Sequence, residues 1–138
     1  MRKVCVLVID QNEERRILVT SVLERAGCEV RNAEDTMEGL KKIFESYPDV
    51  IVMGSRLSDA SGKDPRMKVR EAAYLPIVII GEQADAIDAL EAGGDAFLTT
   101  PPRPRELVAR VRSLLNRKMN FVNSKAGFDV KEMPNIWN

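Results

Sequence analysis

A chain of 138 residues with a 44% hydrophobic share suits one globular domain with a real core and leaves little room for a second. Its 21 basic and 21 acidic residues cancel, so no global field favours nucleic acid, and the absence of histidine excludes His-ligated zinc and Ser-His or Cys-His catalysis within the chain. Cys5 inside an apolar run and Cys28 after a helix stop read as reduced core or edge residues; with neither a signal-peptide pattern nor a membrane-length apolar stretch, a cytosolic location is the expectation.

The apolar pattern then alternates between two periods. Residues 4–9 form a compact apolar run of the kind that makes a buried strand. Leu18, Val19, Val22, Leu23 and Ala26 follow at helical spacing, and Gly27 supplies the stop. A short strand over residues 28–30 leads to a second helix whose stripe is Met37, Leu40, Ile43 and Phe44. Residues 50–53 are a third strand. The stretch after Gly62 predicts a weaker helix, with Pro65 in its first turn and an irregular stripe of Met67, Val69, Ala72 and Ala73 beside the solvated Arg66, Lys68 and Arg70. Residues 77–80 make a fourth strand, and only GEQAD separates it from the apolar Ala86, Ile87 and Leu90 of a fourth helix. Residues 96–99 close the strand set, and Leu107, Val108, Val111, Leu114 and Leu115 repeat the helical stripe. Such alternation implies a parallel sheet covered on both faces by right-handed crossovers. Function in these sheets collects past the carboxyl ends of the strands, where residue 54 offers only a glycine. After Leu115 the pattern changes, so we expect a domain over residues 1–117 and a tail over residues 118–138. Phe121, Val122, Phe128, Val130, Ile136 and Trp137 of the tail either belong to a flexible end or dock on this domain or a partner.

The segments VLVIDQNEERRILVTSVLERAGCEV, PDVIVMG followed by LSDASG, PIVIIG, LEAGGDAFLTTPP and RELVARVRSLL, in this order and spacing, resemble the receiver domain of bacterial two-component response regulators over residues 2–115. The resemblance implies an α/β, flavodoxin-like, doubly wound five-stranded parallel sheet of order 2-1-3-4-5, with helices on both faces. It further implies that active members hold Mg²⁺ with a pair of acids after the first strand and an aspartate after the third, which takes a phosphoryl group. Here Asp10 matches the first acid, Gln11 stands at the second, and Gly54 stands at the acceptor position. Gly81 replaces the hydroxyl residue after the fourth strand and Thr100 replaces the lysine after the fifth. With ligand, nucleophile, sensor and cation changed together, the resemblance is to a degenerate pseudo-receiver without catalytic role, metal or cofactor. Phe97 matches the aromatic that switches rotamer in the family, and loses its hydroxyl partner at Gly81. Thr100–Pro101 matches a bond that is cis in receivers.

Ser55 and Asp59 have no activating base or metal in the sequence and read as loop polar residues. Met67 and Met119 read as gap-fillers. Asp95, Glu106, Arg110 and Arg112 match positions that pair across a dimer in relatives with winged-helix outputs, while Ala96 replaces a second acid; the other reading is ordinary solvated charge. The sequence therefore predicts a phosphorylation-independent signalling module acting through protein contact, with a possible homodimer through the fourth helix, fifth strand and fifth helix, and no nucleic-acid or membrane partner. The alternative is an active receiver with a displaced acceptor, or a small-molecule sensor in which Asp10, Gln11, Thr99 and Thr100 line an altered pocket.

Overall fold

The computed structural model describes residues 3–57 and 64–126, with side chains described as far as residue 117. Five strands, β1 (Cys5–Ile9), β2 (Glu29–Ala33), β3 (Val50–Gly54), β4 (Ile77–Gly81) and β5 (Ala96–Thr99), alternate with α1 (Glu13–Arg25), α2 (Thr36–Ser46), α3 (Pro65–Ala72), α4 (Ala86–Glu91) and α5 (Pro104–Ala126). All strand pairs are parallel, and the order is β2-β1-β3-β4-β5. The expected doubly wound topology is the observed one.

The sheet separates two apolar layers, and this explains why its strands read as unbroken apolar runs. Val6 and Val8 of β1 face a cluster with Val19, Leu23, Leu107 and Val111 of α1 and α5. Leu7 and Ile9 face the opposite cluster with Ile43 and Val69 of α2 and α3 and Ala89 of α4. Successive side chains alternate faces, but both faces are covered, so both sets are apolar. Edge strand β2 is the exception. Its burial alternates, with Glu29 and Arg31 exposed, as suits an edge that must not recruit another strand. It begins one residue later and ends three residues beyond the expected 28–30, because the register Cys5↔Glu29 through Ile9↔Ala33 uses the whole length of β1.

Several helical stripes are narrower than the apolar residues suggested. In α1 only Val19 and Leu23 are fully buried, while Leu18 is exposed. In α2 the core-facing set is Thr36, Gly39 and Ile43, with Leu40 packed against the cluster; Met37 and Phe44, expected in that stripe, are exposed because they lie one position off this face. Only Val69 of α3 is buried, and Met67 is exposed. Beyond Leu115 the stripe ends but the helix does not: α5 continues to Ala126, since no glycine or proline interrupts the chain before Gly127. Residues 118–126 of the expected tail are thus helical. Phe128, Val130, Ile136 and Trp137 lie outside the described residues, as does Asp59. Among the described residues no helix is long and apolar enough to cross a membrane.

Cys5 and Cys28 are free and buried. Burial, then the nearby charge of Asp49 and the second thiol Cys5, pushes the Cys28 thiol up from 9.0 to about 11. An unfolded thiol releases its proton near the lower value and the folded one near the higher, so this contribution is present below the unfolded pKa and lost as pH rises toward the folded one. Urea denaturation at about pH 8 and about pH 10.5 is expected to show a smaller alkaline loss of stability in Cys28→Ala than in the wild type.

Candidate functional site

Parallel pairing brings the carboxyl ends of β1, β3, β4 and β5 to one rim, so Asp10, Gly54, Gly81 and Thr100 converge although they are far apart in sequence. Asp10 follows β1 and is nearly inaccessible, at 4%. Its carboxylate is wired from three directions. Asn12 N–H donates to Oδ1 at 2.9 Å, Arg15 Nη2 donates to the same oxygen at 2.9 Å, and Arg15 Nε donates to Oδ2 at 2.5 Å. Arg16 Nη1 adds a bond to the Asp10 carbonyl oxygen at 2.8 Å. The Asp10–Arg15 contact is a two-toothed, charge-assisted pair with both side chains largely withdrawn from water.

Local structure sets this pair. Asn12 caps α1, its side chain accepting from Arg15 N–H at 2.9 Å. Arg15 is therefore the third residue of the helix. Side chains there tilt back toward the helix N-terminus, which is where Asp10 ends the preceding strand. A cation in the first turn opposes the helix dipole, so the carboxylate of Asp10 supplies the compensating attraction.

Gly54 lies directly beneath this pair. A Cβ built on it would stand 2.9 Å from Arg15 Nη2 and 2.9 Å from Asp10 Oδ1. The space that a larger residue would need is taken by the guanidinium. Gly81 is in a similar position, because a Cβ there would meet Ser55 Oγ at 1.9 Å. The Ser55 hydroxyl donates to Asp85 Oδ2 at 3.0 Å, and Arg56 Nε donates to the same oxygen at 3.1 Å. The hydrogen bond from Arg56, partly offset by desolvation and reinforced by that from Ser55, holds the Asp85 carboxyl below the usual carboxylate range. Asp85 ends the 3₁₀ turn over Gln83–Asp85 that joins β4 to α4. Thr99 Oγ1 also donates into this turn, to Gln83 Oε1 at 2.8 Å.

Of the remaining sequence-derived residues, Gln11 is exposed on the rim and Thr100 is half-buried, its N–H donating to the Gly81 carbonyl at 2.8 Å. The Thr100–Pro101 bond is cis, as expected. Phe97 packs against the apolar layer beneath α2, α3 and α4. The four charged residues considered for a contact surface do not share one face. Asp95 Oδ2 accepts from Arg70 Nη2 at 2.5 Å and from Ile77 N–H at 2.8 Å, which pins β5 to α3 and β4. Glu106, Arg110 and Arg112 are exposed on α5, but residues two apart on a helix diverge by about 200°. Arg112 consequently lines a groove toward α1.

Sequence reasoning missed Arg15. The usable signal was Asn12 as a helix cap, which puts Arg15 where its side chain reaches back to Asp10. The same pair decides the fit of a metal. Both oxygens of the single carboxylate are taken by a guanidinium, positions 11 and 54 carry glutamine and glycine, and among the described residues no group of three or more His, Cys, Asp or Glu is placed to hold an ion. These residues do not fit a hard divalent cation.

Residues 6–112 match the family described as Response regulator receiver domain. The phosphate regulon transcriptional regulatory protein PhoB of Pseudomonas aeruginosa is 35% identical over 118 residues, covering 81% of this chain and 52% of the relative. The alkaline phosphatase synthesis transcriptional regulatory protein PhoP of Bacillus subtilis is 35% identical over 116 residues, covering 81% and 48%. The chain thus spans about half the length of these curated relatives. Among solved structures, a response regulator from Chloroflexus aurantiacus superposes with a TM-score of 0.76 at 30% identity, covering 83% of this chain and 99% of that one. A two-component response regulator from Clostridium difficile gives 0.75 at 30%, covering 86% and 99%.

Arg15→Ala leaves the buried Asp10 carboxylate without its counter-charge and is expected to cost roughly 3 kcal/mol in urea denaturation. Adding Asp10→Asn to that variant should recover part of the loss. Gly54→Ala is expected to cost about 1–3 kcal/mol through crowding against the Arg15 guanidinium and the Asp10 carboxylate, and less in an Arg15→Ala background, where the guanidinium no longer fills the space.

Proposed function

We propose, from the premise that this chain belongs to the response regulator receiver domain family, that it is a phosphorylation-independent receiver that signals through protein contact. The observation that carries this reading is the Asp10–Arg15 pair over Gly54. In a phosphorylatable site, carboxylates gather a cation, and the cation draws electrons from the phosphoryl oxygens while an aspartate attacks. Here the cation is covalently part of the chain. The guanidinium neutralises the one carboxylate, fills the space above Gly54, and has no exchangeable position for a phosphoryl oxygen. Gly54 supplies no nucleophile, and Ser55 directs its hydroxyl proton to Asp85.

Fastening of the β4–α4 turn supports the same conclusion. Switching in a two-state protein needs a ligand that interacts differently with the two states. Ser55, Arg56 and Thr99 tie this turn to β3 and β5 with neutral and charged bonds that involve no added group. A chain of this kind holds one arrangement of its output face. Receiver domains interact with partner proteins such as kinases and effector domains, and α4 exposes Ile87 and Leu90 near β5, while α5 carries exposed Glu106 and Arg110. Exposed apolar residues and exposed charges of both signs suit a protein partner, including a second copy.

Two measurements test this function. Incubation with Mg²⁺ and acetyl phosphate is expected to add no phosphoryl mass, and beryllofluoride to leave the amide NMR spectrum unchanged; a stoichiometric acid-labile adduct would overturn the reading. Light scattering over a concentration series is expected to report any self-association equally with and without the phosphodonor. A dimer that forms only with the donor present would contradict phosphorylation independence.

A further inference from the structure

We propose that the groove between α1 and α5 docks an acidic amphipathic helix of a partner protein. The proposal rests on the protein-contact reading and adds the chemistry of one partner. The open groove has a volume of about 770 Å³, and its apolar lining includes Val22 and Ala26 of α1 and Val108 and Ala109 of α5. Arg25, Arg105, Arg112 and Arg117 also line it, and among the described residues no acidic one does. In a chain whose formal net charge is zero, four guanidinia around one apolar trough are a local accumulation rather than a consequence of composition.

The chemistry of the groove selects among occupants. A second copy in a symmetric contact would set the same arginines against one another, which like-charge repulsion opposes. Single-stranded nucleic acid would need aromatic faces for its bases, and among the described residues no aromatic one lines the groove. An extended peptide would need open backbone groups, but α1 and α5 satisfy theirs within their own helices, so the groove offers no ladder edge. A helix requires only shape and side chains. Ala26 and Ala109 are small enough for a third helix to approach to the usual separation of about 8–10 Å. The lining of α5 from residue 104 to residue 117 runs for about 20 Å, close to four helical turns. Apolar residues at i, i+3, i+4 and i+7 would cover the floor, and flanking Glu or Asp would meet the arginines in bidentate fashion.

A displayed library of helix-forming peptides, about 14 residues long to match that length and randomised on their surface positions, can be panned on the full chain. Enriched peptides are then titrated by fluorescence anisotropy and amide NMR. We expect a consensus with an apolar stripe flanked by carboxylates, and shifts confined to α1 and α5. Arg105→Glu and, separately, Ala109→Glu should each weaken binding by about tenfold or more with an unchanged melting temperature. No enrichment, a basic or extended consensus, shifts on another face, or undiminished binding by both variants would overturn the proposal. The phosphodonor assay is independent of this outcome. A chain that takes no phosphoryl group yet enriches no such peptide loses the groove and keeps the receiver reading; an acid-labile adduct with groove binding intact does the reverse.

Discussion

Two hydrogen bonds from one guanidinium to one carboxylate organise the functional rim of this protein. Asp10 sits where β1 ends, Arg15 where α1 begins, and the turn between them is closed by Asn12 acting on both: its N–H donates to Asp10 and its side chain accepts from Arg15 N–H. The strand end, the helix cap and the site are therefore one hydrogen-bonded unit. Breaking the ion pair would unbalance a carboxylate that is almost wholly withdrawn from water, where uncompensated charge is costly. The surrounding small residues follow from it. Gly54 admits the guanidinium, and the next residue, Ser55, turns its side chain over Gly81 instead of into the rim.

The consequence for signalling lies in where the cation comes from. A metal ion is recruited and released, so a site that uses one has distinct states with different charge. A guanidinium on a helix is covalently part of the chain and is neither recruited nor released. On the proposed reading the charge that other members assemble on demand is built in here, and the turn after β4 is fastened by side chains of the chain itself. Function then moves from the rim to the surface.

That surface is divided by α5. Its buried stripe of Leu107, Val111, Leu114 and Leu115 faces the sheet, leaving two exposed flanks. One carries the exposed Glu106 and Arg110. The other carries Arg105 and Arg112 and turns to α1. Asp95, close to the first flank in sequence, is instead a structural tie between β5, α3 and β4 through Arg70 and the Ile77 amide. Charges that look alike in a sequence thus divide into an internal fastening, a mixed flank and a basic groove.

The sequence by itself determined the architecture. Compact apolar runs separated by helical stripes point to a parallel sheet buried on both faces, while the strand order 2-1-3-4-5 and the placing of Gly54, Gly81 and Thr100 at the rim came with the resemblance to receivers. Identity alone also settled that residue 54 brings no side chain. What the tertiary structure decided was what fills the space so left. Pairing of β1 with β3 brings Asp10 over Gly54, and the cap at Asn12 aims Arg15 back at both; neither distance is encoded in local periodicity. The same holds for α2, where Met37 and Phe44 look like core and are exposed, because the face of that helix turned to the sheet carries Thr36, Gly39, Leu40 and Ile43. Local pattern fixes which residues can be buried or charged together. Only packing fixes which of them meet, since contact depends on register and helix rotation that distant segments of the chain impose on one another.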